Sequence, residues 1–188
     1  MTEIFAAEQF TALVRARRTS MLVERERLVA VELVEHLCTL AQWAPNHKRT
    51  WPWRFAYVMG DGRSKLGKAV ADAMHANGDP TEKVAKARTK YLRAPGTLVV
   101  GAVHGDSPLR TAENRDAVAA GIQNILLGAT ASGLATYWGS CPKGANEAVA
   151  ELCGFEAATT VLGLIYLGWP IGAVEMPERP EVTVNIVA

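Results

Sequence analysis

Residues 117–133 read AVAAGIQNILLGATASG, a stretch rich in alanine and glycine. It lies within the longest helical pattern of the chain, residues 110–132, which is expected to end at Gly133. The interior glycines Gly121 and Gly128 each cost a helix about 1 kcal/mol relative to alanine. Such glycines are tolerated where another backbone packs closely against them. The pattern therefore predicts a buried central helix, and a symmetry mate is one candidate for the element packed on it.

Apolar side chains recurring at three- and four-residue steps predict four further helices. Residues 25–43 have the clearest stripe, and Pro45 is expected to stop this helix because proline disfavours helical geometry at the residue before it. The stripe consists of Leu28, Val31, Val34, Cys38 and Ala41. The other three helices are expected at residues 5–16, with Phe10, Leu13 and Val14 facing inward, at residues 63–77 before a C-cap at Gly78, and at residues 82–92 with their charges on an outer face.

Strands are expected between and after these helices. Two continuous apolar runs have the character of interior strands, and an alternating segment at the end of the chain suits a terminal strand with one face covered. The strands are expected at residues 54–59, 97–104, 134–138, 160–167 and 182–187.

Helices interspersed with strands predict an α+β fold class (mixed α/β), in which helices flank a central sheet. The chain shows no internal repeat or linker, so a single domain over 1–188 is expected.

Composition excludes several classes of protein. The net charge of the 188 residues is +1, so no general attraction to nucleic acid or to a membrane surface is expected. The first residues, MTEIFAAEQF, are acidic where a signal peptide would be basic. The three cysteines are odd in number and show no pairing pattern. A cytoplasmic protein with neither a membrane nor a nucleic-acid partner is expected.

Residues 43–55, WAPNHKRTWPWRF, combine three tryptophans with four potentially cationic side chains: His47, Lys48, Arg49 and Arg54. A ligand that is flat and apolar at one end and anionic at the other would need both kinds of side chain, and a flavin nucleotide has that shape. Two alternatives stay open for this segment. Its aromatic rings could be core anchors for the following strand, or they could stack on single-stranded nucleic acid.

A second cationic segment lies at the end of the first expected helix: Arg15, Arg17, Arg18, Thr19 and Ser20. Arginine forks and neighbouring hydroxyls suit phosphate oxygens, although arginines at a helix C-terminus also simply favour the helix dipole. The chain contains neither GxGxxG nor a P-loop, and its four histidines lack metal-ligand spacing, so no metal is expected. Cys141 could be an activated thiol beside Lys143, but an inert, buried cysteine is the favoured reading.

Four segments, taken in order, resemble the motifs of the nitroreductase superfamily of FMN-dependent oxidoreductases, in particular its short branch. The resemblance covers residues from about 12 to 170. Its segments are Arg17-Arg18-Thr19, Ala44-Pro45-Asn46-His47-Lys48 with Pro52-Trp53-Arg54-Phe55, Gly133-Leu134-Ala135-Thr136-Tyr137-Trp138-Gly139-Ser140, and Leu167-Gly168-Trp169-Pro170.

The resemblance implies an α+β fold with a central mixed sheet, which dimerises through long central helices and binds FMN at the subunit interface. Arg17 and Thr19 would hold the phosphate and ribityl chain, and Arg18 would point toward the flavin. The resemblance names no catalytic acid or base. The full set of implied cofactor-binding residues is Arg17, Arg18, Thr19, Trp43, Asn46, His47, Lys48, Arg49, Trp138, Gly139 and Ser140.

The chain departs from the family pattern at two places. Arg49 and Trp51 occupy positions where many members have asparagine and glutamine. The tail after Pro170 lacks the Lys-x-Arg pair that grips phosphate in longer members. Phosphate binding is therefore expected to rest mainly on Arg17 and Arg18, with Lys48 or Arg49 as further candidates.

The leading hypothesis is an FMN-dependent NAD(P)H oxidoreductase with a ping-pong cycle. NADH or NADPH delivers hydride to flavin N5, and a nitroaromatic, quinone or similar electrophilic acceptor is then reduced. A non-catalytic FMN-binding redox sensor or flavin reservoir is the alternative, and a nucleic-acid or protein-interaction module is a third, remote one. The sequence does not choose between NADH and NADPH.

Overall fold

In the computed structural model, which describes residues 7–187, six α-helices surround a four-stranded sheet. The helices are α1 (Ala7–Ala16), α2 (Val31–Ala41), α3 (Gly62–Ala76), α4 (Thr81–Lys90), α5 (Pro108–Ala131) and α6 (Asn146–Leu152). The strands are β1 (Trp53–Met59), β2 (Gly96–Val103), β3 (Ala135–Gly139) and β4 (Thr159–Gly168). Short 3-10 turns occupy His47–Arg49 and Tyr91–Arg93.

The strands are arranged in the order β1-β2-β4-β3, and every pair of neighbours is antiparallel. An isolated bridge between Thr19 and Thr136 adds a parallel pairing beside β3. The two central strands, β2 and β4, are buried along most of their length, as their continuous apolar sequences predict. The predicted α+β fold class is confirmed.

Helices cover both faces of the sheet, and each face has its own core. The helices α2 and α5 pack on the face that carries Leu98, Val100 and Ile165. The helices α3, α4 and α6 pack on the opposite face, which carries Val99 and Leu164. Successive residues of β2 thus enter different cores, because side chains alternate across a strand.

The predicted start of α2 was wrong. The helix begins at Val31 instead of residue 25, and Leu28 is exposed. The preceding segment is tied to the end of the chain's last strand: the Arg27 guanidinium lies 4.2 Å from the centre of the Trp169 ring. The Trp169 indole N–H also donates to the carbonyl of Leu28 at 3.2 Å. These tertiary contacts replace the local helical hydrogen bonds that the apolar spacing predicted.

The predicted inward face of α1 was also wrong. Phe10 and Val14 are 59% and 41% exposed, and no residue of α1 is buried. The spacing correctly identified a helix with an apolar side, but that side is uncovered in the single chain. The predicted residues 5 and 6 of this helix lie outside the described part.

The predicted terminal strand at residues 182–187 was wrong as well. Between residues 171 and 187 the chain forms no ladder, and Val182, Val184 and Ile186 are all largely exposed. The segment pairs with neither edge strand of the sheet, β1 or β3, and a strand needs such pairing to satisfy its backbone.

The two glycines of α5 face α2 of the same chain, so no symmetry mate is needed to account for them. A Cβ on Gly121 would lie 2.9 Å from the carbonyl oxygen of Ala41 and 2.6 Å from the Trp53 indole nitrogen. A Cβ on Gly128 would meet only side-chain ends, Leu40 Cδ1 at 2.5 Å and Leu37 Cδ2 at 3.0 Å. The tight backbone approach is therefore at Gly121.

We predict that Gly121→Ala destabilises the chain more than Gly128→Ala. At either position, alanine favours the helix by about 1 kcal/mol relative to glycine. At Gly121 the added methyl forces a shift of backbone, and such overpacking costs about 1–3 kcal/mol. At Gly128 leucine rotamers can adjust. Urea unfolding of both variants measures the difference, and an equal midpoint for the two would show that the α5–α2 approach is not tight.

Candidate functional site

The loop at residues 42–52, between α2 and β1, has an unusual backbone. Lys48, Arg49 and Trp51 have φ angles of 62°, 52° and 51°. Left-handed geometry is costly for residues with a Cβ, on the order of 1–3 kcal/mol each, and persists only where surrounding contacts impose it.

Side-chain hydrogen bonds impose this geometry. The Asn46 side chain accepts from the Trp51 N–H at 3.0 Å and donates to the Thr50 hydroxyl at 3.0 Å. The Thr50 hydroxyl donates to Asn114 Oδ1 at 2.5 Å, and Asn114 Nδ2 donates to the Val103 carbonyl at 3.0 Å. Asn114, only 3% exposed, thus joins the loop to α5 and to the end of β2. This role could not be predicted from the sequence, because a single asparagine in a helix belongs to no motif.

A second contact fastens the same loop to the first turns of α5. His47 Nδ1 lies 2.9 Å from Glu113 Oε1, and Arg110 Nη1 lies 2.6 Å from Glu113 Oε2. The loop and the start of α5 therefore form one unit. This unit borders a cavity of about 410 Å³, whose lining includes Lys48, Trp51, Arg54, His104 and Arg110.

The predicted residues Arg17 and Arg18 lie elsewhere, at a cavity of about 470 Å³ between the end of α1, α5 and the C-terminal segment. Its lining holds four arginines and no carboxylate: Arg15, Arg17, Arg18 and Arg179. The Arg18 Nη1 atom donates to the carbonyls of Arg15 and Arg17, whereas the buried Nε atom has no hydrogen-bond partner among residues 7–187. An unpaired guanidinium N–H among so many cations favours an anionic ligand.

The predicted residues Gly139 and Ser140 border a third cavity, of about 260 Å³, on the face of the sheet covered by α3, α4 and α6. Its other lining residues are Met21, Lys90, Arg93, Tyr137, Leu164 and Tyr166. Burial lowers the pKa of Lys90, and Arg93 lowers it further, while Cys141 opposes both. Lys90 was predicted to lie on the outer face of its helix. That was wrong, because its position at the last turn of α4 turns it toward the sheet.

The segment 17–21 connects two of these cavities. Arg17 borders the arginine-lined cavity, Thr19 pairs with Thr136 of β3, and Met21 borders the cavity at Gly139. Four residue steps span at most about 14 Å of extended chain. The two cavities are therefore neighbours along one strand-like segment.

The remaining predicted residues are placed apart from that pair of cavities. Trp138 packs on the α5 face, where its indole N–H donates to the Leu162 carbonyl at 3.3 Å, so it does not border the cavity lined by Tyr137 and Gly139. Trp43 is 85% exposed. The single chain does not bring the loop residues Asn46, His47, Lys48 and Arg49 to Arg17 or Ser140.

The structure supports the inert reading of Cys141. Burial raises the pKa of its thiol to about 11, and Lys90 only partly offsets this, so little thiolate exists at neutral pH. Among residues 7–187, no cluster of three or more His, Cys, Asp or Glu side chains could hold a metal ion. No helix in the same range has the length and apolarity to cross a membrane.

Comparison with known proteins identifies the family. The Nitroreductase family model matches residues 14–169. This chain belongs to the nitroreductase family, which confirms the predicted resemblance and the oxidoreductase class.

Individual relatives agree with this assignment. YfhC of Bacillus subtilis, to which an NAD(P)H nitroreductase activity is ascribed, is 27% identical over 90% of this chain and 89% of its own length. A nitroreductase-like family protein from Bacillus cereus superposes with a TM-score of 0.81 at 27% identity, covering 100% of this chain and 98% of the other. The FMN-dependent nitroreductase NfnB of Mycobacterium smegmatis, solved with NADPH, has the same fold, with a TM-score of 0.72 at 20% identity over 93% of this chain and 95% of the other.

We predict that Asn114→Ala releases the strained loop. Removing the amide leaves Thr50 and the Val103 carbonyl without their partner, which costs about 1–3 kcal/mol of unfolding free energy. Trypsin should then cut faster after Lys48 and Arg49, because a loosened loop opens more often. Asp116→Ala, an exposed change on the same helix, is the matched control. Equal cleavage rates in the two variants would show that Asn114 does not hold the loop.

Proposed function

We propose that this chain is an FMN-dependent NAD(P)H oxidoreductase that reduces nitroaromatic, quinone or similar electrophilic acceptors in a ping-pong cycle. One observation carries the proposal beyond family membership. The segment 17–21 runs from an arginine-lined cavity to a cavity lined by cations and tyrosines. We propose that an elongated ligand, with a phosphate at one end and a flat ring system at the other, occupies this pair.

The arginine-lined cavity suits the phosphate. Arg17 and Arg18 would bind its oxygens, and the unpartnered Arg18 Nε offers one further N–H. The C-terminal segment lacks the Lys-x-Arg pair of longer family members, but it brings Arg179 to the same cavity. Arg179 would therefore supply a cation from the tail in place of the absent Lys-x-Arg pair.

The cavity at Gly139 and Ser140 suits the ring system. Lys90 and Arg93 would place positive charge beside the pyrimidine end of the ring, where negative charge accumulates on reduction. Tyr137 and Tyr166, whose ring centres lie 5.8 Å apart, supply aromatic surface. When bound, FMN supplies the redox chemistry, taking hydride from the nicotinamide and giving it to the acceptor.

We further propose that the working form is a homodimer with FMN at the subunit interface. The single chain leaves Trp43, Trp51, Phe10 and Val14 uncovered, and exposed large apolar side chains in groups mark interaction surfaces. Its loop at residues 42–52 lies away from its own Arg17 and Ser140. In a dimer, the Asn46, His47, Lys48 and Arg49 of one copy would face the cofactor held by the other.

The visible absorption spectrum of the purified protein, recorded before and after anaerobic addition of NADPH and then NADH, tests the proposal. Flavin bands that bleach with either nucleotide are the expected result, and the faster nucleotide is the preferred donor. Bands that persist would mean a non-catalytic flavin binder. A protein that stays colourless after FMN is added would contradict the proposal.

We predict that Lys90→Met weakens FMN binding about tenfold or more. A hydrogen bond to a charged group is worth about 1.5–3 kcal/mol, and 1.4 kcal/mol corresponds to a tenfold change in Kd. Lys86→Met is the matched control: Lys86 lies on the same helix, is exposed and pairs with Glu82 at 3.5 Å. Titration of the apoprotein with FMN measures both. Equal Kd values for the two variants would show that Lys90 does not contribute to FMN binding.

A further inference from the structure

The side chains of His47, Glu113 and Arg110 form a closed triangle on the surface of the protein. The Glu113 carboxylate uses one oxygen for each neighbour: Oε1 lies 2.9 Å from His47 Nδ1, and Oε2 lies 2.6 Å from Arg110 Nη1. The third side of the triangle is a distance of 3.1 Å between Arg110 Nη1 and His47 Nδ1. The Arg110 and Glu113 side chains are about one-quarter exposed, whereas the His47 side chain is 56% exposed.

Two states of the imidazole are compatible with these distances, and they are not equivalent. If Nδ1 carries no proton, it can accept from Arg110, but its lone pair then faces the Glu113 oxygen at 2.9 Å without a hydrogen between them. If Nδ1 carries the proton, it donates to Glu113 Oε1, and Arg110 still donates to Oε2. The Nδ1–H and the Arg110 N–H then face each other at 3.1 Å, so this state requires the guanidinium to turn its N–H toward Oε2. Only this second state gives the carboxylate a donor on each oxygen.

From this geometry we infer that Glu113, held by Arg110, is a positioning residue that fixes His47 as the Nδ1–H tautomer. The tautomer of a histidine is set by the hydrogen bond that its other nitrogen makes. Nε2 forms no hydrogen bond to any residue between 7 and 187 and belongs to a half-exposed ring. Nε2 is thus the atom presented to a ligand, as an acceptor in the neutral ring.

The chain sequence explains why this arrangement is stable. Arg110 and Glu113 are three residues apart in α5, so they lie on one face of the helix and meet without help from other elements. His47 reaches them because the loop that carries it is fastened one residue further along α5, through Thr50 and Asn114. The orientation of His47 is therefore set by α5, and the inference that this orientation serves FMN rests on the proposed function.

The tautomer itself can be measured without cofactor or substrate. Long-range ¹H–¹⁵N correlation spectra of ¹⁵N-labelled apoprotein, taken at alkaline pH where imidazole rings are neutral, distinguish the two nitrogens of each of the four histidines. His47→Ala assigns the His47 signals by their loss. We expect the Nδ1–H tautomer for His47 in the wild type, loss of this preference in Glu113→Ala, and no change in Asp116→Ala. An Nε2–H tautomer of His47 in the wild type would overturn the inference. So would an Nδ1–H tautomer that is retained in Glu113→Ala.

FMN binding then tests whether the positioning matters to the site. Glu113→Ala should raise the Kd for FMN about tenfold in the wild-type background and leave it unchanged in the His47→Ala background, because Glu113 acts only through His47. An equal loss in both backgrounds would overturn the positioning role. Absence of FMN binding in the wild type would instead contradict the proposed function, while the tautomer measurement would still decide the role of Glu113.

Discussion

The close approach of α5 to α2 at Gly121 is the constraint on which the rest of the structure depends. Both ends of the 42–52 loop meet this glycine, since Ala41 closes α2 before the loop and Trp53 opens β1 after it. Two turns earlier on α5, Asn114 and Glu113 fasten the middle of the loop. One helix thus fixes the loop at its two ends and at its centre, and the left-handed residues Lys48, Arg49 and Trp51 are the consequence.

The same helix separates the functional parts of the chain. The loop lies at the N-terminal end of α5, beside Arg110 and Asn114, while the arginine-lined cavity lies near Gln123, three turns along. A helix rises about 1.5 Å per residue, so the parts are held well over 10 Å apart. A rigid spacer of this kind keeps the two parts of the proposed site apart in one chain, which is why we propose that a second copy brings them together.

Most helices and strands, and the residues of contiguous motifs, could be predicted from the sequence. Buried strands such as β2 and β4 are predictable because both of their faces are apolar. The end of α3 is predictable because Gly78 permits a positive φ. The failures have a common cause. Residues 25–30, α1 and the segment 182–187 all carry apolar periodicity whose outcome depends on which surface lies opposite, and periodicity alone does not specify that surface.

Residues of the candidate site that belong to no motif could not be predicted for the same reason. Lys90, Arg93 and Arg179 reach the cavities only through the packing of α4 and the course of the C-terminal segment. Asn114 and Glu113 act on a loop more than sixty residues away in sequence. For the interior glycines of α5, the prediction of close helix packing was correct. The helix packed against them is α2 of the same chain, which the sequence did not specify.

Sedimentation velocity of the purified protein with added FMN, followed by the visible absorption of the flavin, tests the proposed shared site most directly. One chain has a mass of 20.2 kDa. If each site needs two copies, the flavin absorption sediments with a particle of twice that mass, and none remains with the single chain. Flavin sedimenting with a particle of single-chain mass would contradict the proposal, because one copy would then hold the cofactor alone.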